Sequence, residues 1–111
     1  MTGITTHILD LTTGTPAAGV AVTLEQASVT GWAVLARATT DADGRVREAF
    51  AAVPAAGRFR LTFATGAWFA ARGVTSFHPE VSVVFEVPDP KQHHHVPLLL
   101  SPFGYSTYRG S

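Results

Sequence analysis

The stretch "GRFRLTF" alternates without a break: Phe59, Leu61 and Phe63 fall on one side, Arg58, Arg60 and Thr62 on the other. A period of two marks a strand buried on one face, whereas a helix repeats its face every ~3.6 residues. The same period runs through most of the chain. "VAVTLEQA" sets Val20, Val22 and Leu24 against Thr23 and Glu25, and "GWAVLARATT" sets Trp32 and Val34 against Leu35 and Arg37. "EVSVVFEV" places Val81, Val83, Phe85 and Val87 inward, while "HHHVPLLL" and "GYSTYRG" can make two more strands joined by the turn "SPFG". "TTGTPAAG" and "TDADGR" are turns between such runs. Frequent turns between short strands predict an all-β sandwich or barrel, here a sandwich of seven or eight strands. One segment departs from the pattern. "TGAWFAARG" is alanine-rich with glycine at both ends, and it suits a short helix.

A chain of 111 residues with 46% hydrophobic content can fill one modest core, so residues 1–111 read as one domain. Basic and acidic residues balance to zero net charge and the basic ones are scattered, which argues against nucleic acid or an anionic membrane as partner. There is no cysteine, which excludes disulfides, thiol catalysis and thiolate metal sites. "MTGITTHILDL" lacks the basic and apolar run of a secretory signal, and no stretch is long enough to span a bilayer. The expectation is a soluble cytoplasmic protein. No phosphate loop, dinucleotide fingerprint, paired carboxylates or nucleophile elbow is present.

Five histidines stand out. His7 lies in the first strand, "THILDL", and His78 precedes a proline in "FHPE". Of the run His93, His94 and His95, the first and last share a strand face and the middle one points away. Such a pair can ligate a metal, but no third ligand is near in sequence, and the run reads first as solvent-facing strand histidines. The first strand of a sandwich often lies near a late one, so His7 and His95 can meet and divide a proton-transfer task. Arg45 follows the tight "DADG" turn. It is either a solvated turn residue or an anchor for a planar, acceptor-rich ligand. The chain ends on "STYRGS", where a strand that holds the end down would fix Tyr108, Arg109 and the Ser111 hydroxyl in place.

Four spaced segments, "THILDLTTGTPAAGV", "DADGR", "FHPEVSVVFEV" and "HHHVPLLLSPFGYSTYRGS", together resemble the transthyretin-related 5-hydroxyisourate hydrolases across essentially the whole chain. The terminal "YRGS" is the most specific element, since in that family it separates the enzymes from the hormone carrier transthyretin. The resemblance implies a transthyretin-like sandwich of two four-stranded sheets with one short helix. It implies a homotetramer, a dimer of dimers with active sites between the dimers, and hydrolysis of 5-hydroxyisourate with no organic cofactor. His7, Arg45 and His95 match the family's motif histidines and arginine, and Tyr108, Arg109, Gly110 and Ser111 match its terminal tetrapeptide. In those roles His7 and His95 orient and deprotonate water. Arg45, with Arg109 as second candidate, holds substrate and stabilises the oxyanion. Tyr108 contacts substrate, and Ser111 completes the proton network. Two positions depart from the family pattern: His94 stands where an aromatic ring is usual, and so does His78. Both read as surface variation. A carrier that binds a small aromatic ligand on the same fold is the competing reading, although burying such polar groups suits a hydrophobic channel poorly.

Overall fold

The computed structural model describes residues 3–111. In chain order the elements are β1 (Gly3–Asp10), β2 (Thr15–Pro16), β3 (Ala21–Ser28), β4 (Gly31–Thr39), β5 (Arg45–Val46), β6 (Gly57–Phe63), α1 (Thr65–Ala70), β7 (Val81–Val87), β8 (His93–Ser101) and β9 (Gly104–Thr107). They form two sheets. One runs β4-β3-β6-β7; the other runs β2-β1-β8-β9, with β5 also paired to β1. β2 pairs with Leu9 and Asp10 while β5 pairs with Thr6 and His7, and β8 occupies the other side of β1. The two short strands therefore make one interrupted edge, and each sheet is four strands wide, as the resemblance implies.

The core lies between the sheets. Phe59, Leu61 and Phe63 are fully buried, as their alternation predicts, and Val22 and Leu24 face them from β3. From the other sheet come Ile4, Ile8, Leu98 and Leu100. Each such side chain removed from water contributes about 1.5–3 kcal/mol. The helix falls where expected. It buries Trp68 and Phe69, and the Trp68 indole donates to the Ala18 carbonyl at 2.7 Å.

The fourth strand departs from its predicted phase. Opposite the Leu24–Glu25 step, the pairing jumps from Ala36 to Val34, so Leu35 is an extra residue on β4. This bulge returns Arg37, opposite Thr23, to the same outer side as Val34, opposite Glu25, rather than the opposite one. Local alternation cannot reveal such an insertion, because it exists only relative to the partner strand. Among the described residues, no helix is long and apolar enough to cross a membrane.

Candidate active site

The pairing of β1 with its two neighbours brings the predicted residues together. β1 and β8 run parallel, with Thr5 opposite His95 and His7 opposite Pro97. On its other side β1 pairs antiparallel with β5, with His7 opposite Arg45. Ile4, Thr6 and Ile8 are buried toward the core, so Thr5 and His7 point to the outer face of the sheet. His94, Val96 and Leu98 are likewise buried, which leaves His93 and His95 on that outer face. Three strands thus present His7, Arg45, His93 and His95 on one surface.

A cavity of about 210 Å³ opens there, lined by Thr5, Thr6, Arg45, Val46, Arg47, His93, His95 and Ser111. It is smaller than the ~300–1,000 Å³ that holds a drug-sized ligand, and so suits a compact one. His7 does not itself line this cavity; it sits beside it, across from Arg45.

The "DADG" turn aims Arg45. Asp41 Oδ1 accepts from the backbone N–H groups of Asp43 and Arg45, both at 2.9 Å, and these bonds hold its carboxyl below the usual carboxylate range. Gly44 adopts φ +73°, and a Cβ there would stand 2.5 Å from the Ile8 carbonyl oxygen, so only glycine closes this turn against β1. The two acids of the turn pair with Arg47, at 3.4 Å to Asp41 and 2.9 Å to Asp43. Among the described residues Arg45 has no carboxylate partner within 4.0 Å. Of the two guanidiniums at the cavity, Arg47 is engaged by the turn's two carboxylates, whereas Arg45 has none.

The Arg45 charge acts on both imidazoles. Burial lowers the pKa of His7 and the nearby Arg45 lowers it further, against a hydrogen bond to the Asp43 backbone. His95 is also lowered, first by burial, then by Arg45, His93 and His7, against a backbone hydrogen bond to Thr5. Two bases in their neutral form beside a fixed cation can take a proton from water at neutral pH.

The tail divides between two places. β9 ends at Thr107, opposite Leu98, and the next residue of β8, Pro97, has no N–H to continue the ladder. The Thr107 hydroxyl bonds the Pro97 carbonyl at 2.7 Å instead, and pairing resumes in the same register at Gly110, whose N–H donates to the His95 carbonyl at 2.8 Å. A Cβ on Gly110 would stand 2.5 Å from Cδ2 of His95, so this glycine packs directly on the imidazole. Ser111 then reaches the cavity. Tyr108 and Arg109 do not: they line a second cavity of about 260 Å³, against Val83–Glu86 of β7. His95 borders both cavities.

Three side chains stand otherwise than the sequence suggests or have a part there that it does not single out. His94 is not surface variation: it is 4% exposed and faces the core, with Nδ1 bonded to the Gln92 carbonyl at 3.0 Å. His78 is half-buried, packed edge-on between Phe77 and Tyr105. Thr5 was missed. Its hydroxyl lies 2.8 Å from Nε2 of His93 and 2.8 Å from Nδ1 of His95, joining two rings whose centroids are 6.2 Å apart. Its position two residues before His7 puts it on the same strand face, a signal that was available from period-two counting. Among the described residues no three His, Asp or Glu side chains are grouped so as to hold a metal.

With this geometry in view, comparison with known proteins is informative. The HIUase/Transthyretin family model matches residues 4–110. A 5-hydroxyisourate hydrolase of Caulobacter vibrioides is 49% identical over 117 aligned positions that cover all of both chains. Among solved structures, the 5-hydroxyisourate hydrolase of Klebsiella pneumoniae superposes with a TM-score of 0.87 at 44% identity, covering 100% of this chain and 94% of that one. Sea bream transthyretin in complex with thyroxine superposes at 0.89 with 35% identity, covering 97% of this chain and 94% of that one. Matched along nearly its full length in both sequence and fold, the chain belongs to the HIUase/transthyretin family.

Proposed function

We propose that the chain is a hydrolase of purine degradation. It opens 5-hydroxyisourate, the unstable product of urate oxidation, to 2-oxo-4-hydroxy-4-carboxy-5-ureidoimidazoline, with residues 1–111 acting as one catalytic domain. The observation that carries this reading is the outer-face cluster, in which two imidazoles with lowered pKa flank a guanidinium that has no carboxylate partner. The substrate is compact and rich in carbonyls, and Arg45 can hold two acceptors at once. His95 takes a proton from water as the oxygen bonds to a ring carbonyl carbon. The negative charge that develops on the carbonyl oxygen is stabilised by Arg45. The ring C–N bond then breaks and the departing nitrogen takes up a proton, with His7 placed to help orient the water and share the transfer. Ser111 lines the same cavity and can extend the proton network. Substrate contact by Tyr108 and Arg109 rests on the family resemblance alone. None of these steps calls for an organic cofactor.

Gly110 acts here through His95 rather than through substrate. Gly110→Ala should push the imidazole aside, because the added methyl meets the ring at 2.5 Å. Displacements of about 1 Å cost on the order of 10²-fold in rate. Steady-state turnover should fall by about that much while the melting temperature stays near the parent's, and an unchanged kcat would mean that the ring's position is not critical.

A dimer of dimers with the cavity between the dimers is the assembly we favour. It is supported by edge strands β7 and β9 that end each sheet on unpaired backbone, with Val84 and Tyr105 exposed beside them. The competing reading, a carrier of transthyretin type, has the likeness to the sea bream protein in its favour. A coupled ultraviolet assay separates the two. Urate oxidase generates 5-hydroxyisourate from urate in the cuvette, and the protein is added. A hydrolase speeds the decay well beyond the spontaneous rate in proportion to protein added, whereas a carrier leaves that rate unchanged or slows it.

A further inference from the structure

We propose that the Thr5 hydroxyl, anchored by His93, is a positioning group that selects the tautomer of His95 and so leaves the His95 Nε2 lone pair facing the cavity. The proposal rests on the hydrolytic reading and names the device that makes His95 a base. A threonine hydroxyl has one proton to give and can accept from more than one donor. Here it touches two ring nitrogens, each at 2.8 Å. Two N–H groups donating to it at once would leave its own proton without a partner on a side chain only 8% exposed, so when both imidazoles are neutral it donates to one nitrogen and accepts from the other. The two rings therefore cannot choose their tautomers independently.

Two arrangements satisfy this. In the first, Nδ1–H of His95 donates to Thr5 Oγ1 and the Thr5 hydroxyl donates to Nε2 of His93. Nε2 of His95 is then unprotonated and can take a proton from water. In the second, every bond is reversed, and His95 presents an N–H to the cavity and cannot act as base. The hydrolytic reading selects the first. The Thr5 hydroxyl occupies Nδ1 of His95 at 2.8 Å, so Nε2 is the nitrogen left to meet water, and only the first arrangement leaves its lone pair free.

The device is rigid. Thr5 is 8% exposed and is the register partner of His95 in the parallel β1–β8 pair, so neither backbone can drift from the other. A β-branched side chain is also stiff at χ1. Next to it on the inner face, the Thr6 hydroxyl ties β1 to the Val96 carbonyl at 2.6 Å. The far anchor matters as well. With His93 gone, the Thr5 proton is free to turn toward His95 Nδ1 and the second arrangement becomes accessible.

Long-range ¹H–¹⁵N correlation spectra of the imidazoles, recorded on the full chain above the imidazole titration, read the tautomer without any assay. The expected result is His95 protonated at Nδ1 in the parent and in Thr5→Ser, and a shift toward the Nε2–H form in Thr5→Val and His93→Phe. Loss of a group that orients a catalytic imidazole costs up to ~10⁴-fold. Thr5→Val leaves the ring itself in place, so kcat should fall by less than that, about 10–100-fold. KM should change little, and Thr5→Ser should restore most of the rate. A parent protein with His95 protonated at Nε2 would overturn the proposal, as would Thr5→Val with unchanged tautomer and unchanged kcat. A parent that shows the expected tautomer but hydrolyses nothing would instead overturn the hydrolytic reading.

Discussion

Replacing His95 by glutamine should lower kcat on 5-hydroxyisourate by about 10²–10⁴-fold, the usual worth of a general base, and should leave the sandwich folded. The amide can occupy similar space and keep a hydrogen bond to Thr5, but it cannot carry a proton away from water. The fold has little at stake, because the ring lies on the outer face of β8 while the core side of that strand is held by Val96, Leu98 and Leu100. Thermal melting recorded beside the kinetics separates the two effects. A variant that melts like the parent and turns over like the parent would remove His95 from the mechanism.

Arg45→Met has the second large effect, and it should show in two ways. Loss of a donor aimed at a developing oxyanion costs about 10²–10³-fold in kcat. The pH dependence should also move. Arg45 is second only to burial among the causes that lower the pKa of both His7 and His95. A base with a lowered pKa stays neutral to lower pH, so parent activity should persist below the ordinary imidazole value of ~6.5 and fall as pH drops through the lowered one. Without the guanidinium both values rise, and the acid limb of kcat/KM should shift upward. The same limb in parent and variant would show that Arg45 does not act on the imidazoles electrostatically. Arg47 serves as a built-in contrast: already paired to Asp41 and Asp43, it should matter far less when replaced.

Much of the architecture could be read from residue order alone, because its signals are local. The alternation of Phe59, Leu61 and Phe63 with Arg58, Arg60 and Thr62 specifies a face without knowledge of any partner strand. So does the split of His93 and His95 from His94. What remained hidden depends on pairing. The Leu35 bulge exists only relative to β3, and it moved Arg37 to the other face. His94 reads as surface variation because residue order gives its orientation relative to His95 but not which orientation faces the core. The contact of Thr5 with His93 and His95 needs the parallel register of β1 and β8, two strands more than eighty residues apart in the chain. The placement of the tail also depends on pairing: Pro97 interrupts the ladder, so Tyr108 and Arg109 line one cavity and Ser111 the other.

The existence of two neighbouring cavities that share His95 makes the location of a bound ligand the most direct test. Urate shares the substrate's fused, carbonyl-rich ring skeleton but lacks the tetrahedral, hydroxyl-bearing C5 that makes the substrate reactive. A crystal structure of the protein with urate bound should show the ring over the β1–β5–β8 surface, with acceptors on Arg45 and an edge facing Nε2 of His95. Urate found instead between β7 and Tyr108, away from Arg45, would contradict the account.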